Sequence, residues 1–182
     1  MSNGSLYTHI QNNIATVEFY HQSSNSFPSE LLERLSTTFN ELNINNEVQV
    51  IVLKSEKDKA FCAGASFDEL VSITNFEEGK QFFLGFANVI NAMRKCSKLI
   101  IGRVQGKAVG GGVGLAAACD YCFATEQAAI KLSEFTIGIG PFVIAPAVER
   151  KIGVAALSEL TLDATSWQNA YWAKEKGLYA KV

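Results

Sequence analysis

Alternating apolar and polar residues open the chain. Residues 6–10 and 14–20 each alternate with a period of two, which is the repeat of a strand with one buried face. Asn12 and Asn13 lie between the two runs and supply a turn. The pattern therefore predicts that a β-hairpin begins the fold.

The next segment, residues 28–44, carries apolar side chains at helical spacing. These are Leu31, Leu32, Leu35, Phe39 and Leu42. Ser26 is suited to cap this helix, and Pro28 is suited to its first turn. The same kind of pattern predicts further helices over residues 67–71, 76–94, 111–118, 155–162 and 167–176, the last one capped by Ser166.

Short apolar runs between those helices predict strands over residues 48–53, 99–104, 120–124 and 178–182. Repeated strand, helix, strand units pair in parallel and cross over with a right hand. The sequence shows no internal repeat at a fixed period. The chain is therefore expected to adopt an α/β fold with a largely parallel sheet.

The overall composition is that of a globular protein. The chain has 182 residues, of which 48% are hydrophobic and 19% charged, so one domain with a real core is expected. A formal charge of -2 and a pI near 5.7 argue against nucleic acid as the main partner. Residues 1–5 do not begin a signal peptide, and no apolar run reaches the roughly 18 residues of a membrane span. A cytoplasmic protein without a membrane partner is expected.

The four cysteines do not change this expectation. Cys119 and Cys122 form a lone Cys-x-x-Cys in a predicted strand, where their side chains should point to different faces and not to one metal ion. Unpaired cysteine is among the most buried residue types. All four, including Cys62 and Cys96, are therefore interpreted as reduced, buried thiols, and no metal site is expected.

The glycine cluster over residues 106–114 is the strongest chemical signal in the chain. A predicted strand runs into it, and an alanine-rich helix follows. Glycines let backbone N–H groups approach a ligand, and the helix adds its unpaired N-terminal donors and positive dipole end. The segment therefore predicts an anion site, either for a phosphate or for an enolate that exists only during catalysis. Residues 112–117 also fit the dinucleotide-binding pattern Gly-x-Gly-x-x-Ala, which keeps a nucleotide-dependent oxidoreductase as an alternative.

A second glycine-containing segment and two short motifs accompany this cluster in order. The second segment reads Lys59-Ala60-Phe61-Cys62-Ala63-Gly64-Ala65-Ser66-Phe67-Asp68. The two motifs read Ala118-Cys119-Asp120 and Ser133-Glu134-Phe135-Thr136-Ile137-Gly138-Ile139, and both follow residues 104–115, which contain the glycine cluster. In this order and spacing, the chain resembles the crotonase family of enoyl-CoA hydratases and isomerases from about residue 14 to residue 182. The resemblance implies a spiral of repeated ββα units, the crotonase-like superhelix.

The resemblance also assigns the chemistry. It implies that the N–H groups of Ala65 and Gly111 hold the thioester oxygen as it becomes an enolate. Glu134 matches a family glutamate that transfers protons, and burial beside a thioester would raise its pKa. The family's second hydratase glutamate is replaced here by Gly114. Gly110 and Gly114 are assigned to substrate binding.

Coenzyme A is implied as part of the substrate, with no separate cofactor. In the family pattern, Ser23, Ser24 and Ala63 would lie against the adenine, and Phe67 would flank the pantetheine arm. Gln22 stands where relatives often carry a lysine, so a phosphate contact is expected to be lost.

Three functions stay open within the family. The stretch over residues 135–146 favours members similar to methylglutaconyl-CoA hydratase, so a hydratase of branched enoyl-CoA esters is expected first, with methylglutaconyl-CoA as a candidate substrate. A single glutamate is also the arrangement of the family's enoyl-CoA isomerases, and a noncatalytic relative that binds acyl-CoA is the third interpretation. A distal carboxylate on the acyl chain would need a cationic partner, for which Lys131, Arg150 and Lys151 are candidates by charge alone.

The resemblance finally implies an assembly. Relatives are expected to continue beyond the position of Val182 with helices that take part in trimer formation. The chain is therefore expected to be a crotonase-like core domain over residues 1–182 without that helical region. The intact protein is expected to be a homotrimer or a dimer of trimers.

Overall fold

The computed structural model describes residues 4–56 and 60–182, so Lys59 of the segment quoted above lies outside the described residues. The strands are β1 (Ser5–Gln11), β2 (Ile14–Tyr20), β3 (Val50–Ser55), β4 (Leu99–Val104), β5 (Ala108–Val109), β6 (Tyr121–Ala124), β7 (Ala129–Lys131) and β8 (Gln168–Asn169). The helices are α1 (Ser29–Ile44), α2 (Phe67–Ser72), α3 (Phe76–Lys95), α4 (Gly111–Ala118), α5 (Ala145–Leu162) and α6 (Ala170–Glu175). A short 3-10 helix, Glu134–Ile137, lies between β7 and α5.

The hairpin predicted at the start of the chain is confirmed. β1 and β2 pair antiparallel along their full lengths. Asn12 and Asn13 form the turn with φ angles of 51° and 64°. Asparagine tolerates this left-handed region better than most residues, and two such angles in succession give a turn whose twist matches that of the strands.

A five-stranded sheet forms the centre of the fold, in the order β1-β2-β3-β4-β6. β2, β3, β4 and β6 run parallel to one another, as the repeated strand and helix pattern predicts. α1 packs against α3, and the five apolar residues that predicted α1 are all buried. The predicted α/β core is therefore confirmed.

A second sheet, in the order β5-β7-β8, was not predicted. Its strands are only two or three residues long, too short for alternation to show. β5 and β7 are parallel, and an isolated parallel bridge joins Ala108 of β5 to Cys62. Because β5 ends two residues before α4 begins, this small sheet positions the start of α4 beside the segment that contains Cys62.

Two predicted helix caps are wrong. α1 follows Pro28, which makes no side-chain cap bond, and the Ser26 hydroxyl instead lies 3.4 Å from a ring nitrogen of His21. The Glu69 carboxylate of α2 accepts the N–H of Ser29 at 2.9 Å and so takes the capping role from a distant part of the chain. In α6 the cap is Asn169, not Ser166: its side-chain oxygen accepts the Trp172 N–H at 2.8 Å.

The carboxyl-terminal part of the chain also differs from the prediction. α5 is longer than residues 155–162 and is bent at Gly153, whose φ of 77° is not helical. The strand predicted over residues 178–182 is reduced to one bridge between Lys181 and Phe123 of β6. Backbone bonds from Ala124 to Lys181 and from Ala180 to Cys122 nevertheless hold this segment beside β6, at 2.9 Å each.

The cysteines are arranged only partly as predicted. Cys62, Cys119 and Cys122 are buried, but Cys96 is only half-buried. The sulfur atoms of Cys119 and Cys122 do not point apart: a Cβ atom on Gly102 would lie 3.0 and 2.7 Å from them. Over residues 4–56 and 60–182, no three histidine, cysteine or acidic side chains are grouped as metal ligands, and no helix is long and apolar enough to cross a membrane.

Candidate active site

The two glycine-containing segments meet at one cavity of about 190 Å³. Its wall is mostly apolar and includes Phe67, Leu70, Phe82, Phe83, Phe86, Ile137, Ile139, Val143 and Ile144. Residues 63–66 and 109–111 form another part of the wall, to which Gly64, Gly110 and Gly111 can contribute only backbone. Glu134 is the one ionisable side chain among the described lining residues. The cavity therefore combines an apolar surface, exposed peptide groups and a single carboxyl group.

The segment that carries Ala65 is held by hydrogen bonds to Phe27, and the Ala65 N–H points away from Phe27. The Phe27 N–H donates to the Gly64 carbonyl at 2.8 Å, and the Ser66 N–H donates to the Phe27 carbonyl at 2.9 Å. In such a parallel bridge, the peptide groups of the bridged residue, Ala65, point to the other side. No acceptor for the Ala65 N–H is found within the described residues.

The segment that carries Gly111 is the start of α4. Gly110 precedes the helix with φ 52° and ψ -117°, a conformation open to glycine but strained for other residues. The Gly110 N–H donates to the Lys131 carbonyl of β7 at 3.0 Å. Gly111 is the first residue of α4, so its N–H has no partner within the helix. It therefore remains a donor that borders the cavity.

Two glycines of the cluster, Gly112 and Gly114, are required by packing inside the protein. A Cβ atom on Gly112 would contact the carbonyl oxygen of Cys62 and lie 2.9 Å from the Cys62 Cβ. A Cβ atom on Gly114 would lie 2.6 Å from the Cγ2 of Ile144 and 3.2 Å from the Cδ1 of Ile90. The glycines thus let α4 sit deep in the core, a reason that adds to the predicted close approach of a ligand.

Glu134 lies where β7 leads into the 3-10 helix, and its carboxyl group enters the cavity. A Cβ atom on Gly110 would lie 2.9 Å from its Oε1, so the carboxyl group faces the start of α4. Its Oε2 is buried and has no hydrogen-bond partner. Burial raises the pKa of Glu134, because desolvation penalises the charged form. A carboxyl group in this state can accept a proton from a bound molecule and return it.

The residues predicted to bind coenzyme A are only partly brought together. Ala63 and Phe67 line the cavity, and Ala63 donates its N–H to the Ser24 carbonyl at 3.1 Å. Ser24 has a φ of 54° and, with Ser23, belongs to a loop beside the cavity rather than to its wall. Gly114 does not line the cavity either, because Ile144 packs over it.

The three cationic candidates lie elsewhere. The Lys131 ammonium is 4.6 Å from the centre of the Trp167 ring, and the Lys151 ammonium donates to the Asp120 carbonyl at 2.8 Å. Arg150 is exposed on α5. None of the three lines the cavity.

Cys62 supports the cavity without reacting in it. Its sulfur accepts the Gly64 N–H at 3.3 Å, and burial raises the pKa of its thiol to about 12. The thiol therefore stays neutral near pH 7 and is a poor nucleophile.

The sequence did not reveal that Phe82, Phe83 and Phe86 of α3 border the cavity. The apolar period of α3 predicted a buried face, and Phe82 and Phe86 are indeed buried on it. The period cannot tell a face that fills a core from one that borders a cavity, because both require the same apolar spacing. The wall residues at positions 137–144 follow no regular period at all.

An α/β fold with free backbone donors and a buried carboxyl group in one apolar cavity has the features of enzymes that stabilise an enolate. The family model described as enoyl-CoA hydratase/isomerase matches residues 9–182, and the chain belongs to this family.

Individual relatives agree with this assignment. The mitochondrial methylglutaconyl-CoA hydratase of Rattus norvegicus is 33% identical over 141 residues, which are 77% of this chain and 44% of that protein. An enoyl-CoA hydratase of Alternaria alternata is 30% identical over 134 residues, 74% of this chain and 43% of that protein. The chain thus spans less than half the length of each.

Solved structures confirm the predicted crotonase fold. The enoyl-CoA hydratase from Bacillus anthracis matches with a TM-score of 0.90 at 28% identity, over 100% of this chain and 70% of that one. The enoyl-CoA hydratase from Shewanella pealeana matches with a TM-score of 0.92 at 25% identity, over 99% of this chain and 68% of that one.

Proposed function

We propose that the protein hydrates a 2-enoyl-CoA thioester. The observation that carries this proposal is the buried, unpartnered oxygen of Glu134 in the cavity that Ala65 and Gly111 border with their N–H groups. The family membership and the hydratase names of several relatives support the same reaction class.

The proposed reaction uses Glu134 first as a base and then as an acid. The ionised carboxylate takes a proton from water as the water oxygen bonds to the β carbon. The electron pair of the double bond moves to the thioester oxygen, where the Ala65 and Gly111 N–H groups stabilise the negative charge. Glu134 then gives its proton to the α carbon, so one water is added and the carboxylate is restored. An oxyanion donor of this kind is typically worth about 10² to 10³ in rate.

The coenzyme A part of the substrate is proposed to lie along Ala63 and Phe67 at the cavity, with its adenine near Ser23 and Ser24. The bond between the Ala63 N–H and the Ser24 carbonyl supports this placement, since it holds the two segments side by side. No further cofactor takes part in the proposed reaction.

Isomerisation is the second candidate function. The observation that favours it is that Glu134 is the one ionisable side chain among the described residues of the cavity wall. One carboxylate is enough to remove a proton from the α carbon of a 3-enoyl-CoA and return it to the γ carbon, because the enolate stores the electron pair between the two steps.

The acyl chain is proposed to be short or branched and uncharged. The apolar wall and the acidic Glu134 both disfavour a second carboxylate in a cavity of about 190 Å³. This argues against methylglutaconyl-CoA as the preferred substrate, although a relative is named for that compound. A comparison of methylglutaconyl-CoA with an uncharged branched enoyl-CoA tests this choice.

The proposal is tested by incubating the protein with a panel of enoyl-CoA esters and weighing the products. Gain of one water identifies a hydratase, and a shifted double bond at unchanged mass identifies an isomerase. Glu134→Gln keeps the shape but loses the base, so turnover should fall by at least about 10² while ester binding persists. The matched control Glu149→Gln changes an exposed glutamate of α5 and should keep turnover. Binding without turnover in the unaltered protein would instead identify a noncatalytic relative.

A further inference from the structure

Phe86 of α3 rests directly on the backbone of Gly111. A Cβ atom on Gly111 would lie 2.6 and 2.7 Å from the Cε1 and Cε2 atoms of the Phe86 ring, so only glycine fits beneath it. The ring also belongs to the wall of the cavity. It therefore fixes how far the first turn of α4 can extend toward the cavity.

The same ring meets Phe27, which holds the other donor segment. The two ring centroids are 6.0 Å apart, with an interplanar angle of 74°. Such edge-to-face contacts are attractive and have a defined geometry. Phe27 brackets Ala65 through its bonds to the Gly64 carbonyl and the Ser66 N–H. The Phe86 ring thus contacts Gly111 directly and is linked to the Ala65 segment through Phe27.

The Phe86 side chain is almost entirely shielded from solvent. Phe86 is 5% exposed, and the residue before it, Gly85, lets α3 approach α1 closely. A Cβ atom on Gly85 would lie 2.8 Å from the Cδ1 of Leu32. Because interiors are close-packed, a ring held in this way passes the position of one segment on to the other.

We propose that Phe86 is a positioning residue that sets the spacing between the Ala65 and Gly111 donors. This inference rests on the proposed function. Two donors stabilise an oxyanion only when both lie about 2.7–3.1 Å from the same oxygen. A flexible side chain in place of the ring lets the start of α4 and the Gly64–Ser66 segment move independently, so the two N–H groups no longer meet at one point.

The test compares Phe86→Leu and Phe86→Met with Phe39→Leu. Phe39 lies in α1, is fully buried and is outside the cavity wall, so its replacement by leucine is a matched change in the same core. Two quantities are measured: kcat and KM for the best enoyl-CoA ester, and the infrared C=O stretch of a bound, carbonyl-labelled saturated acyl-CoA. A well-aligned donor pair lowers the frequency of that stretch.

Both Phe86 variants should lower kcat by about 10- to 100-fold with KM changed less than about threefold, since a misplaced donor affects the transition state more than binding. Their C=O stretch should move back toward its value in water. Phe39→Leu should lose thermal stability but keep kcat and the stretch. Phe86→Met replaces the ring by an apolar side chain of about the size of leucine that is flexible enough to fill irregular space, so it provides the test if Phe86→Leu does not fold.

Two contrary results are distinguishable. If the unaltered protein binds the ester without lowering its C=O stretch, the oxyanion site of the proposed function is wrong. If the unaltered protein lowers the stretch and both folded Phe86 variants do so equally, or if Phe39→Leu has the same effect as Phe86→Leu, the positioning role is wrong while the proposed function stands.

Discussion

At the scale of single residues, the buried carboxyl group of Glu134 makes both activity and stability depend on pH. Its pKa is raised because burial disfavours the charged form, and its Oε2 has no partner to compensate. The proposed base must be ionised, so activity should fall as the pH drops through this raised pKa. The acid limb of the pH profile should therefore lie above the usual glutamate pKa of about 4.3.

The same group should destabilise the fold when it is charged. The folded state binds the Glu134 proton more tightly than the unfolded state does. The contribution of this proton to the free energy of unfolding is therefore fully present below the ordinary glutamate pKa, and it is lost as the pH rises through the raised pKa of Glu134 in the folded state. In Glu134→Gln no proton can be lost at this position, so this loss of stability at higher pH does not occur. Urea unfolding should therefore show that the variant gains stability relative to the unaltered protein at about pH 8, and that the gain is smaller at about pH 4. A gain that grows toward acid pH would contradict the burial argument.

The family resemblance pointed to Glu134, Ala65 and Gly111, because short motifs carry it. It did not point to Phe86 as a contact of Gly111. That contact joins two helices distant in sequence, and the apolar spacing of α3 only shows that the side chain is buried.

At the scale of elements, α4 depends on having no side chain at Gly114. Gly114→Ala gains helix propensity of about 1 kcal/mol, but its Cβ would meet Ile144 at 2.6 Å, and overpacking typically costs about 1–3 kcal/mol. We expect a net loss of stability in denaturant unfolding. Gly79→Ala in α3 is the matched control, because its Cβ would lie 3.6 Å from its nearest neighbour, Ile73. It should stabilise by about 0.5–1 kcal/mol.

The stability of Gly114→Ala also tells whether position 114 could hold the second glutamate that family hydratases carry there. Gly114→Glu would force a longer side chain into the same contact with Ile144, so it should lose structure before it could restore a second carboxylate. Equal stability changes for Gly114→Ala and Gly79→Ala would show that Ile144 gives way easily and would reopen that possibility.

The start of α6 gives a second prediction at this scale. Asn169→Ala removes the side-chain oxygen that accepts the Trp172 N–H, and loss of such a cap costs about 0.5–2 kcal/mol. Ser166→Ala should be nearly neutral in the same thermal or urea unfolding experiment, since Ser166 makes only a backbone bond to Asp163. A larger loss of stability in Ser166→Ala than in Asn169→Ala would mean that Ser166 caps α6, as the sequence predicts.

Periodicity predicted α1 and α3 well, but it missed the amino-terminal half of α5 and the strands of the second sheet. The 16-residue α1 and 20-residue α3 contain several apolar repeats, whereas β5 and β8 have two residues each and no readable period. The Glu69 contact at the start of α1 spans 40 positions and leaves no local signal, which is why Ser26 was chosen as the cap.

At the scale of the whole molecule, the site is assembled by contacts between distant segments. Three backbone hydrogen bonds illustrate this: the Val109 N–H donates to the Cys62 carbonyl at 2.9 Å, the Gly110 N–H to the Lys131 carbonyl at 3.0 Å, and the Phe27 N–H to the Gly64 carbonyl at 2.8 Å. The fold class followed from the order of strands and helices, but the cavity depends on these long-range bonds, which no local pattern encodes. Assembly into trimers or dimers of trimers stays a prediction.

The central claim is that the Ala65 and Gly111 N–H groups and the Glu134 carboxyl group act on one bound thioester. A crystal structure of the protein with a saturated acyl-CoA tests it most directly. We predict that the thioester oxygen lies within about 3 Å of both backbone nitrogens, with the Glu134 carboxyl group beside the α and β carbons. A thioester whose oxygen meets neither N–H group, or whose acyl chain lies outside the cavity, would contradict the account.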